Sequence, residues 1–226
     1  MAAPIVTIDG PSGSGKGTIA RAVARHAGWH LLDSGALYRL AALAGAQKGL
    51  DPQDVKGHAK IAGNMNVGFG ADPDGGELVT LDGMDVTSEL RSEATGAGAS
   101  RVAAWPELRT ALLARQHAFA LAPGLVADGR DMGTVVFPNA DLKIFLTASA
   151  DERARRRYKQ LKDKGSDVSL PALSREIAER DSRDSTRAVA PLKPAPDAEV
   201  IDSTGLTIEQ VVDRVLEIGR SRSLWV

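Results

Sequence analysis

The chain has 226 residues, a length that predicts one large domain or one domain with inserted lobes. Its 43% hydrophobic and 25% charged residues are typical of a globular protein and exclude a collagen, a disordered tail and a coiled coil. The 28 basic and 29 acidic side chains give a net charge of −1, which provides no broad basic field to attract nucleic acid or a membrane. We therefore expect neither as a partner, and any bound anion must be held by a local cluster of charges.

The absence of cysteine excludes disulfide bonds, thiolate catalysis and zinc–thiolate sites. The first residues lack a basic region that leads into an apolar run, so no signal peptide is expected. The most apolar helical stretch, residues 37–46, contains Arg39 and is too short to cross a bilayer. These features predict a cytoplasmic protein.

Five short apolar segments predict the strands of a core sheet, and longer segments between them predict helices. In chain order the strands are Ile5–Asp9, His30–Asp33, 125–128, 142–146 and Glu199–Asp202. The helices are Lys16–Ala27, 36–47, one that starts at Asp51-Pro52, 93–104, 106–121, 151–164, 171–187 and 208–220. Strands that alternate with helices indicate a three-layer α/β fold, in which a parallel sheet carries helices on both faces.

The segment from about residue 64 to 90 has a different character. Short strands are predicted at 65–69, Glu77–Leu81 and 84–86, and Asp82-Gly83 between the last two is a hairpin signal. We interpret this segment as part of a small antiparallel lobe inserted between helices.

One glycine-rich run carries a strong chemical signal. The residues Gly10-Pro-Ser-Gly-Ser-Gly-Lys-Gly-Thr18 follow a predicted strand and open a predicted helix, which is the context of a P-loop. Glycines let backbone N–H groups converge on phosphate oxygens, the helix N-terminus favours an anion, and Lys16 supplies a cation for the β- and γ-phosphates. The predicted ATP-binding residues are Gly10, Ser12, Gly13, Ser14, Gly15, Lys16, Gly17 and Thr18.

The run departs from the usual motif at one position. Gly17 stands where a Ser or Thr that binds magnesium is expected, and Thr18 comes one residue later. We therefore expect Mg²⁺ to bind together with ATP, largely through phosphates and water, and we predict no metal-ligating residue.

Polar residues also follow two other predicted strands. Asp33-Ser34 ends the second strand, and Asp128-Gly-Arg-Asp131 ends the third. Ligands of such sheets collect at the carboxyl ends of the strands, so both clusters should face the same crevice as the P-loop. The alternatives are a plain helix cap for Asp33-Ser34 and a solvated turn for 128–131.

Two predicted helices carry charges in ordered patterns. Arg153, Arg156 and Arg157 share one face of the first helix, where they could bind phosphate or form a solvated surface. In the second helix one stripe begins apolar and turns ionic; its members are Leu173, Ile177, Arg180, Asp184 and Arg187. Such a stripe indicates a helix end that faces a polar cleft, with a surface ion-pair ladder as the alternative.

The four histidines show no metal-ligand spacing. Phosphoryl transfer to a phosphate monoester does not need them, because that acceptor is already anionic near neutral pH and can attack without a general base.

Four blocks together resemble the bacterial cytidylate kinases, and the resemblance covers nearly the whole chain. The blocks are residues 8–18 (IDGPSGSGKGT), 31–39 (LLDSGALYR), 127–138 (ADGRDMGTVVFP) and 187–192 (RAVAPL). The resemblance implies a nucleoside monophosphate kinase fold with a five-stranded parallel sheet, an acceptor-binding lobe at 64–104 and a helical lid at 151–187. A single P-loop kinase domain would then span 1–226, and would transfer the γ-phosphoryl group of ATP to CMP or dCMP in pyrimidine nucleotide metabolism.

The resemblance also implies roles for individual residues. Around the cytosine it places Ser34, Arg109, Asp131 and Arg187, and at the sugar Ser100, Arg180 and Asp184. At the acceptor phosphate it places Arg39 and Arg130, with Tyr38 lining the pocket. The catalytic set that it implies is Lys16, Arg130, Arg153 and Arg157, the last two in the lid.

The sequence leaves three other interpretations of the function, and a feature of the chain opposes each of them. A P-loop kinase for UMP, AMP or shikimate conflicts with the cytidylate-like blocks. A GTP-binding switch requires an Asn-Lys-x-Asp motif, which is absent, and the minimal Asp-x-x-Gly at Asp72–Gly75 does not follow a core strand. A P-loop fold kept only for binding would have no use for a charged lid.

A monomer is expected, because the lid and the acceptor lobe must both move.

Overall fold

A computed structural model describes residues 3–71, 77–163, 165 and 167–225. The chain forms two compact units, one made of residues 1–33 and 116–226 and the other of residues 34–115. The Asp72–Gly75 run lies outside the described residues.

In chain order the elements are β1 (Ile5–Asp9), α1 (Lys16–Ala27), β2 (His30–Asp33), α2 (Ser34–Gln47), α3 (Val55–Asn64), β3 (Val67–Ala71), β4 (Glu77–Leu81), β5 (Met84–Asp85), α4 (Thr87–Leu90), α5 (Glu93–Val102), α6 (Pro106–His117), β6 (Leu125–Gly129), a π-helical turn (Met132–Val136), β7 (Leu142–Thr147), α7 (Ala150–Asp163), α8 (Leu170–Thr186), β8 (Glu199–Asp202) and α9 (Ile208–Ser221).

The first unit is built on a five-stranded sheet of order β2-β6-β1-β7-β8, in which every pairing is parallel. Alternate residues of β1 point to opposite faces. Val6 and Ile8 join the core formed with α1 and α9, while Asp9 accepts hydrogen bonds from the π-helical turn on the other face. This sheet confirms the predicted α/β fold with a five-stranded parallel sheet.

The second unit contains the three-stranded antiparallel sheet of order β3-β4-β5. Helix α2 packs against α3 and α5. A Cβ at Gly45 would collide with the ring of His58, so glycine lets α3 approach α2 closely. His58 is buried and contacts Trp105 edge to face, with ring centroids 5.4 Å apart.

The prediction that a helix starts at Asp51-Pro52 is wrong. The Asp51 side chain accepts from the backbone N–H of Gln53, which forms a turn there. Asp54 then caps α3 by accepting from the N–H of Gly57, so the helix begins at Val55.

Four boundaries also differ from the prediction, and the first is the start of α2, which lies at Ser34 instead of residue 36. Strand β3 begins two residues later than predicted, because Met65 ends α3 by donating to Ile61 and Asn66 pairs with Asp82 instead of extending the strand. The helix predicted over 106–121 ends at His117, and α5 ends at Val102 instead of residue 104. The short helix α4 and the π-helical turn were not predicted.

Within the described part of the chain, no helix combines the length and the apolar character needed to cross a membrane.

Candidate active site

The predicted P-loop connects β1 to α1 and adopts a conformation that depends on its glycines. Gly10 has φ +155°, and a Cβ there would collide with the carbonyl oxygen of Leu146. Gly15 caps α1 in the left-handed region at φ +92°. The loop therefore passes close to β7 and presents the N-terminus of α1, where an anion is favoured.

Lys16 lies at the first turn of α1 with its ammonium group nearly buried. Its Nζ donates to the carbonyl oxygen of Pro11 at 3.4 Å and lies 3.9 Å from Oδ1 of Asp128. Burial, and then the positive charge of Arg130, lower the pKa of Lys16, while Asp128 acts in the opposite direction. A bound polyphosphate would compensate the charge of Lys16.

Two carboxylates lie at the end of the sheet beside the P-loop. Asp33 of β2 is in register with Asp128 of β6. Burial raises the pKa of Asp128, Lys16 lowers it, and the negative charge of Asp33 raises it. Among the described residues, Oδ1 of Asp128 has no hydrogen-bond partner although it is buried.

The position of Asp128 explains the glycine after the lysine. A Cβ at Gly17 would lie 3.1 Å from Oδ2 of Asp128, a separation tighter than most real contacts. Glycine at 17 therefore makes room for a carboxylate where the usual motif has a hydroxyl group.

Asp9 supports the segment that carries Asp131. Its two carboxylate oxygens accept the backbone N–H groups of Met132 at 2.9 Å and Gly133 at 2.8 Å. Burial raises the pKa of Asp9 to about 7, although these two hydrogen bonds act to lower it. The carboxylate thus fixes the start of the π-helical turn directly after Asp131.

The first unit brings together four of the residues assigned to the acceptor. Nε of Arg130 donates to Oδ2 of Asp184 at 3.0 Å, and Nη2 of Arg187 lies 3.8 Å from Oδ1 of Asp131. The side chains of Asp131, Asp184 and Arg187 are all less than a tenth exposed. Burial raises the pKa of Asp184, but Arg130 and Arg180 outweigh it and hold that pKa below the usual range.

This cluster decides between the two interpretations of the ionic stripe. A surface ion-pair ladder would leave Asp184 solvated, whereas the structure buries it against a residue 54 positions away. Lys16 lies near enough to Arg130 and Arg180 for their charges to lower its pKa. Lys16 of the P-loop, Arg130 and Arg180 of α8 therefore belong to one electrostatic cluster.

The first unit also holds Arg180, and the second unit holds the five remaining residues assigned to the acceptor. Nη1 of Arg39 donates to the carbonyl oxygens of Leu90 and Ser92, which aims this guanidinium at the start of α5. The Arg109 guanidinium lies 5.8 Å from the ring centroid of Tyr38, a cation–π arrangement, and both side chains are buried. The remaining two assigned residues of this unit, Ser34 and Ser100, are also buried.

Two arginines of α7, Arg153 and Arg156, are not part of the solvated surface that was the alternative for this helix. Arg153 is 5% exposed, and its Nη1 donates to the P-loop carbonyl of Ser12 at 3.1 Å. Arg156 donates to the carbonyl oxygens of Ser14 and Ser203. Arg157 is half-buried and donates to Gln160.

A cavity of about 430 Å³ opens beside the P-loop in the first unit. Its wall has an apolar part, formed by Ile19, Leu146, Leu206, Ile208 and Val211. Its polar part is formed by P-loop residues, Thr18, Arg156, Arg157, Gln160, Ser203 and Thr207. An apolar slot with a few polar groups suits a nucleoside base.

Sequence reasoning missed several residues of this site. The sequence patterns predict Asp128 and Arg156 only as members of their clusters, without an individual role, and they predict no role for Asp9, Asp181 and Ser203. The strand ends signalled Asp128, and the helical spacing signalled Arg156. Asp181 and Ser203 reach the site through contacts distant in sequence, which no local pattern reveals.

The comparisons with known proteins identify a family for the chain. The model of the cytidylate kinase family matches residues 6–221. The chain is 60% identical over 222 residues to the cytidylate kinase of Stutzerimonas stutzeri (strain A1501), covering 98% of this chain and 97% of that protein. It is 61% identical over 215 residues to the cytidylate kinase of Pseudomonas savastanoi pv. phaseolicola, covering 95% and 94%, and 58% identical over 221 residues to that of Azotobacter vinelandii, covering 97% and 96%.

Proposed function

The chain belongs to the cytidylate kinase family, and we propose that it transfers the γ-phosphoryl group of ATP to CMP or dCMP, giving ADP and CDP or dCDP. One observation of this structure carries the proposal. The P-loop cation Lys16 shares an electrostatic cluster with Arg130 and Arg180, which lie next to buried carboxylates able to bind a nucleotide. Donor and acceptor phosphates would thus be held within one cluster of positive charge.

The donor is held by the P-loop and the neighbouring cavity. Residues 10–18 supply backbone N–H groups for the triphosphate, and Lys16 approaches its β- and γ-phosphates. The base of ATP occupies the cavity lined by Ile19, Leu146 and Val211, because that cavity adjoins the loop and is largely apolar.

Kinases use ATP together with a metal ion, and the site fits Mg²⁺. The buried Oδ1 of Asp128 has no hydrogen-bond partner among the described residues, and carboxylate oxygens suit this ion and its water ligands. No group of three or more His, Asp or Glu residues that could hold a metal occurs in the part of the chain that the structure describes. We therefore propose that Mg²⁺ binds mainly through phosphates and water, with Asp128 and Asp33 facing those waters. When bound, the ion would neutralise part of the charge of the phosphates.

The acceptor is recognised by three groups of residues. The base contacts Ser34, Arg109, Asp131 and Arg187, and the sugar contacts Ser100, Arg180 and Asp184. The phosphate contacts Arg39 and Arg130, and Tyr38 lines the pocket. The carboxylate of Asp131 accepts from the cytosine amino group, and a donor such as Arg109 suits the cytosine ring nitrogen.

The chemical step needs positioning and charge neutralisation more than proton transfer. An oxygen of the anionic acceptor phosphate attacks the γ-phosphorus while the bond to the β,γ-bridging oxygen breaks, and ADP leaves. Lys16, Arg130, Arg153 and Arg157 form the catalytic set, in which Lys16, Arg130 and Arg157 spread positive charge over the transferred group and Arg153 acts through its contact with the P-loop. Arg157 contributes from the lid, because it lies beside Gln160 at the cavity wall.

The remaining assignments follow from this activity. Residues 64–104 form the acceptor lobe and residues 151–187 the lid of one kinase domain that acts as a monomer. The cytoplasm is the proposed location and pyrimidine nucleotide metabolism the proposed context, because the substrates are intracellular pyrimidine nucleotides.

An acceptor panel tests the proposal. ADP release from ATP is measured with CMP, dCMP, UMP, AMP and shikimate at equal concentrations. We expect turnover with CMP and dCMP to exceed turnover with the other three by tenfold or more. A higher kcat/KM for UMP, AMP or shikimate than for CMP would contradict the proposal.

A further inference from the structure

Asp181 of α8 forms a two-point ion pair with Arg153 of α7. Its two carboxylate oxygens accept from Nη1 at 3.1 Å and from Nη2 at 2.6 Å. The Arg153 side chain is only 6% exposed, and Nε donates to the carbonyl oxygen of Ala148 at 3.0 Å. A buried guanidinium held by so many acceptors has a fixed position.

Arg153 in turn holds one peptide unit of the P-loop. Its Nη1 also donates to the carbonyl oxygen of Ser12 at 3.1 Å. That carbonyl and the N–H of Gly13 belong to one planar peptide unit, so fixing the oxygen also fixes the direction of the N–H. The first turn of α7 packs closely here, since a Cβ at Gly13 would lie 3.1 Å from Cβ of Arg153.

We propose that Asp181 is a positioning residue for the ATP phosphates, acting through Arg153 on the Ser12–Gly13 peptide of the P-loop. Without the carboxylate, the buried guanidinium lacks its counter-charge and turns away from Ser12. The P-loop then samples peptide orientations in which the Gly13 N–H no longer faces a phosphate. The loss is specific to the donor nucleotide, because Asp181 contacts Arg153 and not the acceptor-side pairs formed by Arg130 and Arg187.

The test compares Asp181→Asn with Glu179→Gln as a matched control. Glu179 lies on the same helix but is exposed, and its carboxylate is 4.0 Å from an exposed arginine, so no change is expected there. For Asp181→Asn we expect kcat/KM for ATP to fall tenfold or more, with a rise in KM for ATP. The KM for CMP should change less than twofold.

Two further variants show whether Asp181 acts through Arg153. Asp181→Glu keeps the charge and should recover part of the ATP affinity. In an Arg153→Met background, adding Asp181→Asn should change kcat/KM for ATP less than twofold, because the link to the loop is already lost. If Asp181→Asn does not fold, Asp181→Glu is measured in its place. Its KM for ATP should rise, whereas its KM for CMP should not.

A merely structural role would give a different result. It would lower the thermal midpoint and the active fraction without a selective change in KM for ATP. The proposal is overturned by an unchanged KM for ATP in folded Asp181→Asn, by an equal rise in KM for CMP, or by a full additional loss in the Arg153→Met background.

Discussion

At the scale of single residues, the proposed function assigns the choice of base to Asp131. Cytosine offers an amino donor where uracil offers a carbonyl oxygen, and an ionised carboxylate can only accept. Asp131 is buried beside Arg187. Water therefore could not supply the hydrogen-bond donor that a uracil carbonyl oxygen facing this carboxylate would need. A site built to satisfy one polar edge discriminates strongly against the analogue.

Replacing Asp131 by asparagine should narrow the preference for CMP over UMP by roughly tenfold, about 1.4 kcal/mol, because an amide can either accept or donate. The measurement is kcat/KM for both acceptors at saturating ATP. Arg130→Lys is the control, since weakening the proposed contact of Arg130 with the acceptor phosphate should lower both efficiencies together. An equal fall for CMP and UMP in Asp131→Asn would remove Asp131 from base recognition.

The residues that were predictable from sequence are those with a local pattern. The P-loop follows from its glycines and from the strand and helix around it, and the ionic stripe follows from helical spacing. The Arg153–Asp181 pair was not predictable, because each residue alone reads as a surface charge. Only the packing of α7 on α8 buries Arg153, pairs it with Asp181 and brings it to the carbonyl oxygen of Ser12.

At the scale of elements, the C-terminal end of α9 depends on a close contact with Trp225. A Cβ at Gly219 would collide with the Trp225 ring. That ring also meets Trp29 edge to face, with centroids 5.6 Å apart, and its Nε1 donates to the carbonyl oxygen of Leu216. Both tryptophans pack against the core between the sheet and α9.

Gly219→Ala should therefore displace Trp225 and lower the free energy of unfolding by about 2 kcal/mol, because lost packing outweighs the better helix propensity of alanine. Urea unfolding followed by tryptophan fluorescence measures this change. Turnover should stay close to that of the wild type, since the cavity contacts the opposite end of α9 at Ile208 and Val211.

The matched control is Gly63→Ala, at an exposed position of α3 where a Cβ meets open space. This variant should be as stable as the wild type or slightly more stable. A Gly219→Ala protein with wild-type stability would mean that Trp225 contributes little to the packing of α9.

Elements were predicted well where a single pattern decided them and poorly where two signals competed. The five core strands are short apolar runs that no other signal contradicts. At the start of α3, Asp51 and Asp54 are both good caps, and the turn at Asp51 decides in favour of the later one. The π-helical turn depends on Asp9, which lies more than 120 residues earlier in the chain and on another element.

At the scale of the whole molecule, the burial of carboxylates beside the P-loop links stability to pH. Burial raises the pKa of Asp9 to about 7, whereas the same side chain in the unfolded chain titrates near 3.8. Between these values the folded protein holds a proton that the unfolded chain has released. The contribution of protonated Asp9 to the free energy of unfolding is therefore fully present below about pH 4 and is lost as the pH rises through 7. The raised pKa of Asp128 acts in the same direction.

The free energy of unfolding of the ligand-free protein should thus fall between pH 5 and pH 7, with Asp9 contributing about 2 kcal/mol of the decrease over these two pH units. Urea unfolding at both pH values measures the decrease in the wild type and in Asp9→Asn. The asparagine variant is expected to be less stable at pH 5, since its NH2 group cannot accept from the second backbone N–H, whereas the hydroxyl oxygen of a protonated carboxyl group can. Its decrease between the two pH values should nevertheless be smaller by about 2 kcal/mol, because it has no proton to lose. An identical decrease in both proteins would mean that the N–H groups of Met132 and Gly133 keep Asp9 ionised at pH 5.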